Sequence, residues 1–339
     1  MNLTGMRAIR NLFFVFISLT SIIFTNEIRS QTTSAESKPI AEIFTDFHVN
    51  LNDTTKTTGF GVNRAYFGYD YKADEHFSAM LMVNLGTPDD VTAGTVRRRY
   101  AYFREASISW TNEKLRMAFG LTDTRLFRFQ QRFWGKRYLA NTYQSLNGYG
   151  YVADLGFTLD YKFNDLISGD ITVMNGEGYL ELQLDNGVRS SLGLTLTPNS
   201  KIALRIYGDY ENKPECKQVT GIFFAGYRNN FFNIGAEASM KTNLDEISGH
   251  HAWGISATGG INFTKKDEIF IRYDYSTSVI PEGETEHWNY LKDGTFLICG
   301  VQHSFTPNIK LALDYQGRAP YDENRQNSNL IYLNALFKF

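Results

Sequence analysis

Apolar and polar side chains alternate with a period of two along most of this 339-residue chain. Between Ile309 and Tyr315 the odd positions are apolar, while Lys310, Ala312 and Asp314 point the other way. Ile269, Ile271, Tyr273 and Tyr275 oppose Arg272 and Asp274 in the same manner. Ile202, Leu204 and Ile206 oppose Arg205 and Asp209, and Leu155, Phe157, Leu159 and Tyr161 oppose Thr158, Asp160 and Lys162. Successive side chains of a strand project to opposite faces, so the pattern predicts β-strands with one apolar and one charged face. Two architectures satisfy it. A soluble sandwich turns the apolar face inward, and a barrel in lipid turns it outward around a wet lumen.

The connections separate the two. The alternation predicts about sixteen strands, at 40–51, 58–72, 76–86, 98–110, 114–121, 149–163, 167–175, 188–197, 201–211, 218–228, 231–241, 252–264, 268–276, 294–305, 309–316 and 329–339. Short turns such as Ala73-Asp74-Glu75, Pro198-Asn199-Ser200 and Thr306-Pro307-Asn308 alternate with longer loops, among them 87–97, 122–148 and 277–293. Short turns on one side and long loops on the other, with an even strand count, are the pattern of an outer-membrane barrel. A sandwich has no reason to alternate so regularly. The last strand, ending on Phe339, places Ile331, Leu333, Ala335, Phe337 and Phe339 on one side. Pairing it with the first strand removes both sheet edges, as lipid demands. The expected fold is therefore all-β, a transmembrane antiparallel β-barrel.

One connection stands apart. Residues 122–148 form the longest and most basic loop, with Arg125, Arg128, Arg132, Lys136 and Arg137 against a single acid, Asp123. It joins the fifth and sixth strands, so it is the third long loop, and we expect it to fold inward and narrow the pore. Parity puts Arg116 on the luminal face, because Leu115, Met117, Phe119 and Leu121 take the lipid side. Arg64 shares its side with Asp70 and Lys72 and is luminal as well. Guanidinium groups aimed across a narrow, low-dielectric pore attract anions, and their fork suits phosphate and carboxylate. The candidate constriction and anion-binding residues are thus Arg125, Arg128, Arg132, Lys136, Arg137, Arg116 and Arg64. The bland reading of the loop bases is a solvated surface or a contact with lipopolysaccharide phosphates; Arg97, Arg98 and Arg99, in a neighbouring loop, fit that better. Phe127, Phe129, Phe133, Trp134, Tyr138 and Tyr143 are read as anchors holding the loop against the wall. Charge elsewhere in the lumen is balanced, so selectivity by charge must be local.

Composition adds the class and the route. Aromatics make up 15% of the chain, with 26 Phe and 20 Tyr, which suits a barrel with aromatic girdles. Arg7 and Arg10 precede an apolar core of 13 residues, Leu12 to Phe24. That is too short for a spanning helix and reads as a secretory signal for Sec export. We take 1–30 as the signal peptide, 31–39 as a short periplasmic leader and 40–339 as one barrel domain. Removing the signal takes away three bases and one acid, moving the net charge from −2 to about −4. That balance does not suit nucleic acid. Two cysteines, Cys216 and Cys299, make neither a disulfide framework nor a metal site. His250-His251 and His287 lack a third ligand at helpful spacing, so we expect neither a metal nor a cofactor. His303 and Ser304 are strand neighbours on opposite faces and cannot pair, and no G-x-S-x-G segment occurs, so we do not expect an enzyme.

The C-terminal strand ending in Phe339 looks like the assembly signal of Gram-negative outer-membrane proteins. The segments Ile171-Thr172-Val173-Met174-Asn175-Gly176-Glu177-Gly178-Tyr179 and Phe133-Trp134-Gly135-Lys136-Arg137-Tyr138 resemble the phosphate-selective porin O and P family in its broad, Bacteroidetes-type sense. The resemblance implies a sixteen-stranded homotrimeric porin in the cell outer membrane, with an inward-folded third loop and pore-lining arginines. Its expected partners are outer-membrane lipid, lipopolysaccharide and small anionic solutes, phosphate among them. The expected function is passive diffusion of small hydrophilic solutes with a preference for anions. The alternative is a structural or adhesive barrel whose loops bind partners and whose lumen conducts little.

Overall fold

A computed structural model describes residues 36–52, 57–86, 100–183, 185–213, 216–322 and 326–339. The expected signal peptide and Arg97 to Arg99 lie outside the described residues. Sixteen strands form one closed antiparallel barrel, each hydrogen-bonded to its neighbours in sequence and the last to the first. They are β1 (Glu36–Asn50), β2 (Thr58–Lys72), β3 (Phe77–Gly86), β4 (Tyr100–Thr111), β5 (Leu115–Asp123), β6 (Ala153–Lys162), β7 (Ile167–Met174) and β8 (Arg189–Leu196). The second half comprises β9 (Ile202–Asn212), β10 (Lys217–Arg228), β11 (Phe232–Lys241), β12 (Ala252–Asn262), β13 (Asp267–Ser278), β14 (Gly294–Thr306), β15 (Ile309–Pro320) and β16 (Ser328–Lys338). Each expected strand is found, with bounds that differ by a few residues. The first begins at Glu36 rather than Ile40, and the sixth at Ala153 rather than Tyr149.

The exposure of the two faces decides between the architectures that alternation leaves open. The apolar side chains are on the outside: Ile206, Phe119 and Leu313 are 61%, 70% and 52% exposed. The charged ones are inside: Arg272 and Asp314 are 1% and 2% exposed. A water-soluble fold would reverse this, because apolar surface left in water costs about 25 cal/mol per Å2. Here lipid is the solvent that suits the outer face. Phe163, Phe231, Phe263, Phe305 and Phe339 lie exposed at the ends of β6, β10–β11, β12, β14 and β16, all at the short-turn end. They form the aromatic girdle expected at a membrane interface. Among the described residues no helix is long and apolar enough to cross a membrane.

Closure is continuous. β1 and β16 pair from Glu42↔Lys338 to Asn50↔Leu330, and Ala41 and Phe339 exchange backbone hydrogen bonds of 3.1 and 3.0 Å. Asparagine caps the short turns: the Asn164, Asn199 and Asn229 side-chain oxygens each accept two backbone N–H groups two and three residues on. These Asx turns reverse the chain without water.

The packed apolar core lies inside the barrel, between the loop after β5 and the wall. One cluster joins Trp134, Tyr138 and Leu139 of the loop to Phe44, Phe270, Ile298, Ala312 and Leu336 of the wall. A second joins Leu126, Phe127, Tyr143 and Tyr149 to Tyr207, Ile222 and Leu244.

Candidate functional site

The loop between β5 and β6 folds into the lumen, packs mainly against the wall from β8 to β16, and touches β1, β2 and β6 as well. It carries two short helices, α1 (Arg128–Trp134) and α2 (Tyr143–Leu146). Gly135, in the left-handed region at φ 69°, ends α1 by donating its N–H to the Gln131 carbonyl. A loop withdrawn from water leaves many carbonyls needing donors. Wall side chains supply them: Arg205 to the Arg125 carbonyl at 3.2 Å, Arg189 to Tyr149 at 3.0 Å, Arg272 to Asn141 at 2.5 Å and Gln316 to Leu139 at 3.2 Å. Arg228 does the same for Phe133. Each of the first three arginines is also held by a neighbouring carboxylate, Asp170, Asp209 or Asp274, at 2.6 to 2.7 Å. Part of the balanced luminal charge of the sequence is therefore three ion pairs that mount the loop.

Aromatic side chains complete the mounting, as expected for Phe127, Phe133, Trp134, Tyr138 and Tyr143. Phe129 and Phe133 both meet Phe224 edge-on, with centroids 5.5 and 5.0 Å apart. Trp134 lies under the Arg272 guanidinium at 4.7 Å. The wall leaves room for these rings by carrying glycine opposite them. A Cβ on Gly226 would stand 2.6 Å from Phe133, and one on Gly254 would stand 2.0 Å from the Tyr143 hydroxyl. Gly226→Ala should therefore push Phe133 off its seat and destabilise the loop by about 1–3 kcal/mol. Differential hydrogen exchange of residues 128–140 checks it: unchanged protection would mean the seat adapts.

The seven expected residues divide into three groups. Arg64 of β2 donates to the Tyr66 hydroxyl at 2.8 Å and across the gap to the Asn141 side-chain oxygen of the loop at 2.8 Å. Arg137 of the loop reaches back to the same Tyr66 hydroxyl at 2.9 Å, its guanidinium over the ring at 5.6 Å. Wall and loop arginines thus meet on one phenol. Arg104 of β4 joins them. It is ion-paired to Asp123 and stands 5.8 Å from the Tyr179 ring, with Nε and Nη1 buried and unpaired among the described residues.

The second group is Arg116, Arg128 and Arg132, toward the short-turn end. Arg116 is 3.8 Å from Asp160 and Arg128 is 3.3 Å from Asp123; Arg132 is exposed. The remaining two residues are structural contacts. Arg125 is buried and forked onto Asp160, with Nε to Oδ1 at 2.7 Å and Nη2 to Oδ2 at 2.6 Å. Lys136 is buried against Glu268 at 2.7 Å, with Phe270 beneath it at 5.4 Å. Both differ from the expectation of free constriction cations, because each lies beside a carboxylate far away in sequence.

Arg104 and Tyr66 are additions to the expected set. The β4 ladder carries a bulge between the pairs Met82↔Glu105 and Val83↔Phe103, which turns both Arg104 and Glu105 inward. Strict parity cannot find such a residue. Outside the spanning strands, Lys213 is buried among Glu177, Asp185, Glu211 and Glu246, at 2.7, 3.3, 3.8 and 3.5 Å. Desolvation draws its pKa down, but the Glu177 hydrogen bond and the surrounding carboxylates outweigh this and hold it above the ordinary lysine value.

No family model matches the chain, and no curated protein matches it. Solved structures do match in fold. OmpT of Vibrio cholerae superposes with a TM-score of 0.64 at 12% identity, over 91% of this chain and 99% of that one. OmpF of Salmonella typhi, in complex with daunomycin, gives 0.65 at 11% identity, over 89% and 97%. The anion-selective porin from Comamonas acidovorans gives 0.63 at 8% identity, over 90% and 100%.

Proposed function

We propose that this chain is an outer-membrane porin of a Gram-negative cell, passing small hydrophilic solutes by diffusion with a preference for anions. One observation carries the reading. The third long loop lies inside the barrel and brings its Arg137 together with Arg64 and Arg104 of the wall around Tyr66 and Tyr179, with Arg128 and Arg132 beyond. A row of guanidiniums in a narrow pore lowers the barrier for anions and raises it for cations. A guanidinium fork also suits an oxyanion better than chloride, because two parallel N–H donors match a pair of oxygen acceptors. The fold shared with the Comamonas porin supports the reading, and so does the resemblance to the broad phosphate-selective porin O and P family.

We read the protein as a homotrimer exported behind its signal peptide, in line with the trimer form described for Vibrio cholerae OmpT. Diffusion down a gradient requires no catalytic group and no cofactor. Planar-bilayer recording of the mature protein tests the function. Stable conducting steps with a reversal potential favouring chloride over potassium are expected, with inorganic phosphate reducing the chloride current. Cation preference would overturn the anion claim, and absence of steps would overturn the porin claim.

A further inference from the structure

The cavities at the two ends of the lumen differ in the charge of their described lining. At the short-turn end a cavity of about 640 Å3 opens beside the turn Thr111–Lys114. Lys114, Arg116, Arg128 and Arg132 line it. Its other two arginines, Arg125 and Arg205, are forked onto Asp160 and Asp170, which leaves Glu113 as the acid without an arginine partner on that wall. At the long-loop end a cavity of about 350 Å3 is lined by Glu177, Glu181, Glu211, Asp245 and Glu246. Three cations share that lining among the described residues, Arg64, Arg189 and Lys241, and Arg189 is already ion-paired to Asp209. Lys213, standing among four carboxylates, cannot neutralise them all. Among the described residues that line the two cavities, carboxylates therefore outnumber cations at the long-loop end and cations outnumber carboxylates at the short-turn end, with the inserted loop between them. Low-dielectric walls focus such charges along the axis of a pore.

We infer that the lumen carries an axial field, acidic at the long-loop mouth and basic at the short-turn mouth. The solutes it suits are small zwitterions with an anionic group at one end and a cationic group at the other, which cross with the anionic end toward the short turns. A free anion meets repulsion at the acidic mouth and attraction beyond it. A zwitterion of the right orientation is attracted at both ends, its cation lingering among the carboxylates while its anion reaches the arginines. This inference rests on the chain being a conducting porin.

The test is the reversal potential of the mature protein in planar bilayers, with the salt gradient run in each direction. Insertion polarity is read from one-sided protease digestion of the long loops. At about 10 mM salt the screening length is about 30 Å, against about 3 Å at 1 M, so the mouth on the dilute side dominates selectivity. The anion-to-cation permeability ratio should be roughly threefold higher with the dilute side at the short turns than at the long loops. The variant Glu181→Gln/Asp245→Asn/Glu246→Gln should erase most of that difference by raising the lower value. Lys114→Gln/Arg116→Gln/Arg132→Gln should erase it by lowering the higher one. Equal ratios in the two directions, both favouring anions, would overturn the axial field and leave the porin reading intact. Ratios favouring cations in both directions would overturn the anion preference instead. In proteoliposome swelling, an ω-amino acid should enter faster than its uncharged amide analogue of the same length, and equal rates would overturn the zwitterion assignment.

Discussion

Replacing Arg64, Arg104 and Arg137 together with glutamine is expected to lower the anion-to-cation permeability ratio of the open pore by at least about tenfold. The magnitude follows from Coulomb's law: at an effective dielectric constant near 20, a unit charge about 12 Å from the passing ion acts with about 1.4 kcal/mol, a factor of ten. The three guanidiniums converge on Tyr66 and Tyr179, so an ion in the gap passes closer than that to at least one of them. Glutamine keeps a donor and roughly the volume, which separates loss of charge from loss of packing. Bilayer recording under a salt gradient reads the ratio, and Lys265→Gln/Lys266→Gln/Lys201→Gln, three exposed bases at the short turns, serves as the charge-matched control. A triple variant with the native ratio would place the selecting charges elsewhere in the lumen.

The second large effect is on the loop itself. Lys136→Met should destabilise the barrel by about 3–5 kcal/mol, because it leaves Glu268 buried without its cation. Lys136, just after α1, is the loop's ion-paired contact with β13, so the loop should also move on its mount and the single-channel current should become noisy. The midpoint of denaturant unfolding reads the first effect and open-channel noise the second. Lys136→Met combined with Glu268→Leu removes both charges and should recover most of the stability, since a buried ion pair can be exchanged for apolar side chains at little cost. A single variant as stable and quiet as the native protein would mean that the aromatic seat around Phe133 and Trp134 holds the loop unaided.

The two predictions mark the boundary of what the sequence discloses. Strand positions are legible because lipid enforces the alternation: moving Leu313 and Asp314 by one residue would put a carboxylate in hydrocarbon. The loop is legible as an insertion because nothing else between two strands is as long, as basic and as aromatic. What each base does is not legible. Lys136 and Arg125 look like Arg132 in one dimension, and only the barrel's curvature brings Glu268 and Asp160 beneath them. Arg104 escapes for a different reason. A one-residue bulge shifts the facing of its strand, and no composition signal near Phe103 or Glu105 marks it.

The seam of the barrel has a consequence for assembly. Ile43 pairs with Phe337 across almost the entire described chain, so this ladder has the greatest loop-closure cost and cannot begin before the last strand exists. On the inner surface of the same seam, Phe44 of β1 and Leu336 of β16 share one apolar cluster with Trp134, Tyr138 and Leu139. The apex of the inserted loop is therefore a rivet through the joint. Zipping the seam and seating the loop become one late event, and a barrel that has closed is at the same moment a barrel whose aperture has been set.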